Sequence, residues 1–353
     1  MKIFEGDSLE QVYPQMADYI LKNGDNVSPR GQLTKEIPGA AIIINNPKNR
    51  VIPSAIRKLN FGFMVGELCW ILRGSNLVDE IVHYNSAWKN FSDNGVTLNG
   101  AYGQRIFKWD AGLRLDKKGE IYNKTVNQFR RAYDQLVKDK FTRQATISMF
   151  DPNKDYEDTK DKPCTNLIRF SIRENKLNML VVMRSNDLSK GTPYDIFNFT
   201  MLQEIMAGLL SEKLGNIEVG KYVHVVDSLH IYESDFNMFK DIVNENYPAL
   251  YNNSVNYDGR LCSMDEFTKT MKALFEIEEK SRLNQELTMQ EACNMIESID
   301  NKVWRSYAAV LVTYNFRKYR RSQSELDTIK GYITNEFKSL MDTRYNELPP
   351  KTI

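Results

Sequence analysis

The sequence is poor in the residues that build metal centres and lacks the long apolar runs that cross membranes. Its 353 residues include four cysteines and three histidines, at 69, 164, 262 and 293 and at 83, 224 and 230. Their spacing fits no zinc ligand set, so no metal is expected. No window approaches the roughly eighteen apolar residues of a spanning helix. The opening MKIFEGDSLEQ carries acids where a secretory signal would be apolar. A soluble, cytoplasmic protein is the expectation. Lysine plus arginine total 47 against 46 acids, which leaves no overall basic field to argue for nucleic acid. There is no internal repeat and no glycine-rich phosphate loop. The expected ligand is a small molecule.

What is present can fold. At 42% hydrophobic and 26% charged residues, the chain can bury a large core in one extended domain or two ordinary ones. Ser8 followed by Gln11 predicts a capped amphipathic helix running to about Lys22, stopped by Asn23 and Gly24. GAAIIIN at 39–45 suits a buried strand, 55–73 a buried helix, 79–91 a helix, and 124–138 an amphipathic helix. Strands are expected at 145–150, 167–172, 177–184 and 217–226, and helices at 194–214 and 229–243. From about 252 the pattern is mostly helical. Helices and strands without strict alternation predict an α+β protein with a mixed sheet. The expected division is a domain over 1–250, with a charged surface insertion at 151–162, and a mostly helical extension over 251–353 packed on it. The one dense basic run, FRKYRR at 316–321, reads either as a solvated helix face or as a patch for RNA.

Among the cysteines, Cys69 in GELCWILRG and Cys293 in MQEACNMI sit in core-like patterns. Cys164 follows Pro163 at the end of the charged stretch and precedes an alternating strand, which places its thiol at the edge of an element. Twenty residues on, MRSNDLSKGTPYDIFNF gathers Arg184, Ser185, Asn186, Asp187 and Asp195 around a turn. An arginine near a cysteine favours the thiolate and can also grip a phosphate. A surface ion pair is the alternative reading.

Six blocks, ELCWILRG (67–74), NGAYG (99–103), Pro163-Cys164, Arg184-Ser185 with Asp187, GTPYD (191–195) and DSLHIY (227–232), occur in the order and approximate spacing of the thymidylate synthase family. The chain resembles that family over roughly 28–235, and the closing LPPKTI is faintly similar to its C-terminal lid. The resemblance implies a thymidylate synthase-like fold and 5,10-methylenetetrahydrofolate as cofactor. It further implies that a cysteine, here Cys164, attacks C6 of a pyrimidine nucleoside monophosphate. By position, Arg30, Arg184 and Ser185 bind the phosphate. Arg143 resembles the arginine lent to the partner's phosphate site in a homodimer, although Gln144 replaces the second arginine usual there. Glu67 matches the carboxylate that orders water and moves protons, and Tyr102 the phenol near the C5 proton. His230 and Tyr232 resemble the pair that holds the sugar hydroxyl. Trp88, Asp187 and Gly191 resemble folate-contacting positions, and Trp88 fits a core aromatic equally well.

Two departures point to the substrate. Where thymidylate synthases have an asparagine that both donates to and accepts from uracil, this chain has Asp195, which as a carboxylate can only accept. Thr165 stands where most have a histidine after the cysteine. An acid at that position marks the cytidylate hydroxymethylase branch, so the resemblance implies conversion of CMP or dCMP to its 5-hydroxymethyl derivative. The alternatives are a thymidylate synthase or uridylate hydroxymethylase with Asp195 protonated, and an inactive homologue acting as RNA-binding protein or scaffold.

Overall fold

The computed structural model describes residues 1–245, 258–335, 337–338 and 341. The LPPKTI segment at 348–353 and part of the expected helical extension lie outside the described residues. The strands are β1 (Lys2–Gly6), β2 (Asp25–Val27), β3 (Thr34–Ile44), β4 (Trp109–Leu115), β5 (Ile121–Val126), β6 (Thr146–Ser148), β7 (Thr165–Arg173), β8 (Lys176–Asp187) and β9 (Glu218–Tyr232). The helices over the first two thirds are α1 (Leu9–Asn23), α2 (Phe61–Leu72), α3 (Val78–Val82), α4 (Tyr102–Phe107), α5 (Gln128–Lys138), α6 (Pro152–Asp155), α7 (Thr192–Leu214) and α8 (Phe236–Asn244). Four more follow: α9 (Met264–Leu283), α10 (Met289–Glu297), α11 (Lys302–Lys318) and α12 (Gln323–Lys330).

The main sheet is mixed, as expected for an α+β chain, in the order β1-β3-β9-β8-β7-β6 with β2 also on β3. β1 with β3 and β8 with β9 are parallel pairs, and the other pairs of the sheet are antiparallel. β4 and β5 form a separate exposed hairpin that the sequence pattern did not call for. No helix among the described residues is long and apolar enough to cross a membrane.

Helix α7 is the element against which the others are arranged. Pro193 in its first turn presets the backbone for a helix, and Gly215, at φ 79°, ends it in a conformation that favours glycine. Between Thr192 and Leu210 every residue except Asp195 is buried, as in a largely apolar helix enclosed by its neighbours. It packs on β8 and β9 and touches α2, α5 and α9. Helix α2 is nearly as buried, and its Gly62 and Gly66 leave room for the rings of Tyr314 and Tyr84, which a Cβ would meet at 2.3 and 2.7 Å. Helix α11 runs against α2, α9, α10 and α12, so the C-terminal helices share one core with the sheet domain.

Several expectations shift at element boundaries. The helix expected over 55–73 starts only at Phe61, because Asn60 caps it by accepting from Phe63 N–H at 3.0 Å and Lys58 is left-handed at φ 46°. Residues 229–232, expected to open a helix, instead extend β9, held by pairing with β3 from Leu229↔Ile37 to Tyr232↔Thr34. The helix expected from 124 starts at Gln128 after β5, capped by Asn127. Of the basic run at 316–321, Phe316 is buried, Lys318 donates to the His83 carbonyl at 2.7 Å and Arg321 pairs with Glu325 at 2.5 Å.

Most residues of the charged stretch 151–162 are exposed, while Asp155 and Asp161 anchor it inward. Arg105 holds both oxygens of Asp155 at 2.7 Å, with side-chain exposures of 6% and 0%. Asn99 Nδ2 donates to Asp155 Oδ1 at 3.0 Å, and Asp161 Oδ2 accepts from Gly100 N–H at 2.6 Å. Two of the acids in the stretch, Asp155 and Asp161, tie the NGAYG turn down. Removing the carboxylate with Asp155→Ala strands a buried guanidinium and is expected to cost about 3–5 kcal/mol. Asp134→Ala, which breaks an exposed pair with Arg130, should cost about 0.2–1 kcal/mol. Urea denaturation of the two variants measures the contrast, and equal midpoints would contradict the anchoring by Asp155.

Candidate active site

The twenty residues between Cys164 and Arg184 close on themselves as a hairpin. Glu174 and Asn175, both at positive φ, make the two-residue turn joining β7 to β8, with Arg173 opposite Lys176. The pairing brings the Arg184 N–H to the Cys164 carbonyl at 2.9 Å. The Arg184 guanidinium is tied to the same segment, donating from Nε to the Pro163 carbonyl and from Nη2 to the Lys162 carbonyl, both at 3.0 Å. Ser185 and Asp187 continue along β8. The parallel register with β9 sets Ser185 beside Ser228 and Asp187 beside His230. The His230 ring lies edge-on to Tyr232 at 5.2 Å, with Nδ1 3.3 Å from the Ser228 carbonyl. Asp187 Oδ1 accepts from Ser189 N–H at 2.7 Å.

Helices α2, α4 and α7 supply the other wall. Glu67, from α2, accepts from Asn198 Nδ2 of α7 at 2.8 Å. Asp195, one turn earlier on α7, accepts from Asn186 Nδ2 of β8 at 2.7 Å. Tyr102, at the start of α4, stacks on Phe199 with ring centres 5.7 Å apart. Trp88 is half-buried in a short 3-10 turn over 86–91, its ring 6.0 Å from Trp70 and 5.9 Å from Phe91.

These groups share one electrostatic neighbourhood. Burial pushes the Cys164 thiol above its ordinary range, opposed chiefly by the Arg184 guanidinium and more weakly by Arg30. Burial, reinforced by the Asp195 charge, lifts Glu67 to about 8, and the Asn198 amide pulls the other way. Burial likewise lifts Asp195 to about 7 against the Asn186 hydrogen bond. Tyr102 is pushed well up by burial and then by Asp195, Cys164 and Glu67. A thiol beside a guanidinium, with two carboxyls poised to exchange protons near neutrality, is equipped for nucleophilic addition followed by proton transfer.

Arg143 stands apart from this cluster, and Arg30 reaches it only through its charge on Cys164. Arg30 is exposed and left-handed at φ 54°, a conformation that costs a non-glycine residue about 1–2 kcal/mol. Arg143 is exposed just ahead of β6 and, within this chain, hydrogen-bonds to none of the described site residues. Sequence reasoning missed Asn186 and Asn198 as partners of the two carboxyls. The spacing of Asn198 three residues after Asp195, in an otherwise apolar run, was a signal that could have found it. It also missed Tyr222, whose hydroxyl meets His224 Nδ1 at 2.7 Å and which lies close enough to Asp195 to feel its charge.

A sequence profile of the family described as "Thymidylate synthase" matches residues 11–289. A deoxyuridylate hydroxymethyltransferase of Bacillus phage SP01 is 37% identical over 239 residues, covering 67% of this chain and 60% of that protein. A deoxyuridylate hydroxymethyltransferase of Delftia phage PhiW-14 is 34% identical over 215 residues, 57% of this chain and 53% of that protein. A thymidylate synthase of Mycoplasma genitalium is 24% identical over 245 residues, 65% of this chain and 83% of that protein. The chain therefore spans rather more than half the length of the two phage relatives.

The two raised carboxyls make stability depend on pH. Both bind protons more tightly folded than unfolded, where carboxyls titrate at roughly 4. The stability they contribute is complete below that value and is lost as pH rises through about 7 for Asp195 and about 8 for Glu67. Thermal melts should show the protein losing stability between about pH 4 and pH 8, with Glu67→Gln losing less over that interval. Parallel profiles for the two proteins would contradict the assignment.

Proposed function

The chain belongs to the thymidylate synthase family, and we propose that it transfers a one-carbon unit to C5 of a cytidine or deoxycytidine monophosphate and leaves it as a hydroxymethyl group. In the proposed reaction the Cys164 sulfur adds to C6 of the base, making C5 nucleophilic. Once C5 has bonded the one-carbon unit and lost its proton, water supplies the hydroxyl and the sulfur leaves C6. Arg184, Ser185 and Arg30 bind the phosphate, Arg143 serves the partner's phosphate in a homodimer, and His230 with Tyr232 holds the sugar hydroxyl. Glu67 moves protons to and from the base, and Tyr102 stands where the C5 proton leaves.

The family's one-carbon donor is 5,10-methylenetetrahydrofolate, which when bound supplies the carbon at the oxidation level of formaldehyde. The residues present fit it. Trp88 offers a half-buried aromatic face, and the half-buried Asp187 carboxyl is an acceptor for ring N–H groups. At Gly191 a Cβ would meet Asn186 Nδ2 at 2.8 Å, so the turn there has no space for a side chain.

The observation that carries the base assignment is the acid at 195. Asn186 already donates to its Oδ2, which leaves a group that accepts and, once ionised, cannot donate. The N4 amino group of cytosine satisfies it, whereas O4 of uracil opposes it. A mismatch of this kind is worth about 1–3 kcal/mol, on the order of tenfold to a hundredfold in selectivity.

A second reading, uridylate hydroxymethylation, is favoured by the names of the two phage relatives and by Asp195 titrating at about 7, where a protonated acid could donate to O4. Product analysis with each nucleotide and methylenetetrahydrofolate from pH 6 to 9 separates them. Turnover of cytidylate should rise as pH passes about 7 and Asp195 ionises, whereas turnover of uridylate would fall. Formation of 5-methyluracil with dihydrofolate would overturn hydroxymethylation altogether. Cys164→Ala should reduce tritium release from C5 of labelled nucleotide to background. Asp195→Asn should shift the cytosine-to-uracil preference toward uracil by about tenfold or more.

A further inference from the structure

We propose that Asn186 is the positioning residue that sets base preference, by holding Asp195 as a hydrogen-bond acceptor. This inference rests on the base-reading role of Asp195. Among the described residues, Asn186 Nδ2 is the one hydrogen-bond donor to the Asp195 carboxylate, at 2.7 Å. The amide cannot turn round freely. Thr192 Oγ1 donates to Asn186 Oδ1 at 2.6 Å, and the same hydroxyl lies 3.1 Å from the Asp187 carbonyl. With its oxygen so engaged, the amide presents its NH₂ to Asp195. Asn186 is only 3% exposed, so bulk water does not replace this bond.

Gly191 completes the device. A Cβ there would come within 2.8 Å of Asn186 Nδ2 and 3.3 Å of Asp195 Oδ2, so a side chain would wedge the pair apart. The GTPYD block thus encodes one assembly: Gly191 for clearance, Thr192 for amide orientation and Asp195 for the base.

The remaining ionisable neighbours do not offer the same help. Those that interact with Asp195 are Glu67 from α2, Tyr102 from α4, Cys164 ahead of β7, Asp187 from β8 and Tyr222 from β9. All are acids, and a negative charge on any of them disfavours an ionised Asp195. Asn186 is the group that opposes them. Without it the carboxyl would hold its proton to higher pH, and a protonated acid can donate to O4 of uracil.

The test compares kcat/KM for cytidylate and uridylate, across pH, in the wild type, Asn186→Leu, Thr192→Val and Asp195→Asn. Asn186→Leu keeps the branched shape and deletes the donor. Its cytidylate-to-uridylate ratio should fall at least tenfold, and the inflection near pH 7 in cytidylate turnover should move up. Thr192→Val, which frees the amide to flip, should move both quantities in the same direction by less, and it carries the test if Asn186→Leu does not fold. A merely structural role for Asn186 would lower turnover of both nucleotides equally and leave the inflection in place, which would overturn the inference. If Asp195→Asn alters preference while Asn186→Leu and Thr192→Val do not, the positioning role fails and the base-reading role survives. If Asp195→Asn alters nothing, the base-reading role fails, and this inference with it.

Discussion

Helix α7 is buried on nearly every side from Thr192 to Leu210, and the rest of the molecule is arranged to cover it. Sheet strands β8 and β9 pack along it, and α2 and α9 meet it from elsewhere. A helix so enclosed can carry polar groups only where each has a partner, because an unpaired buried polar group costs as much as a hydrogen bond contributes. Asn198 is paired with Glu67, and Asp195, the one residue of Thr192–Leu210 that keeps some exposure, is paired with Asn186. The site is thus a pair of carboxyls set into an apolar wall. The wall that stabilises the fold is also what raises their proton affinity into the range useful for proton transfer near neutral pH.

The charges that do lie deep are matched at short range. Arg105 with Asp155, Arg50 with Glu204, and Arg73 with Glu278 each join segments far apart in sequence. Glu204 also accepts from Gly259 N–H at 2.7 Å, and Glu278 from the Tyr84 hydroxyl at 2.8 Å. Such pairs add little net stability over apolar packing, but they penalise any arrangement in which one partner is missing. They fasten the C-terminal helices and the 151–162 segment to the walls of the site.

Where a pattern was long and its cause local, the sequence was a good guide. α7 was legible from twenty residues of apolar periodicity, strands β7 and β8 from two apolar runs at 167–172 and 177–184, and α1 from Ser8 and Gly24. Boundaries failed where a distant partner decided them, as at residues 229–232, which β3 draws into a strand. In the stretch 151–162 the roles of Asp155 and Asp161 were hidden for a related reason: they look solvated until Arg105 and Gly100 are brought to them.

The sequence by itself determined which chemical groups are available: a thiol at 164, arginines at 30 and 184, a carboxyl at 67, and an acid rather than an amide at 195. Side-chain identity is covalent and needs no neighbour. Only the tertiary structure decided how those groups behave, because proton affinity and hydrogen-bond role depend on burial and on partners dozens of residues away. Glu67 reaches Asn198 across 131 positions. Asn186 and Asp195 are nine residues apart and were gathered at one turn by the sequence, but their pairing as donor and acceptor depends on strand β8 lying against the first turn of α7.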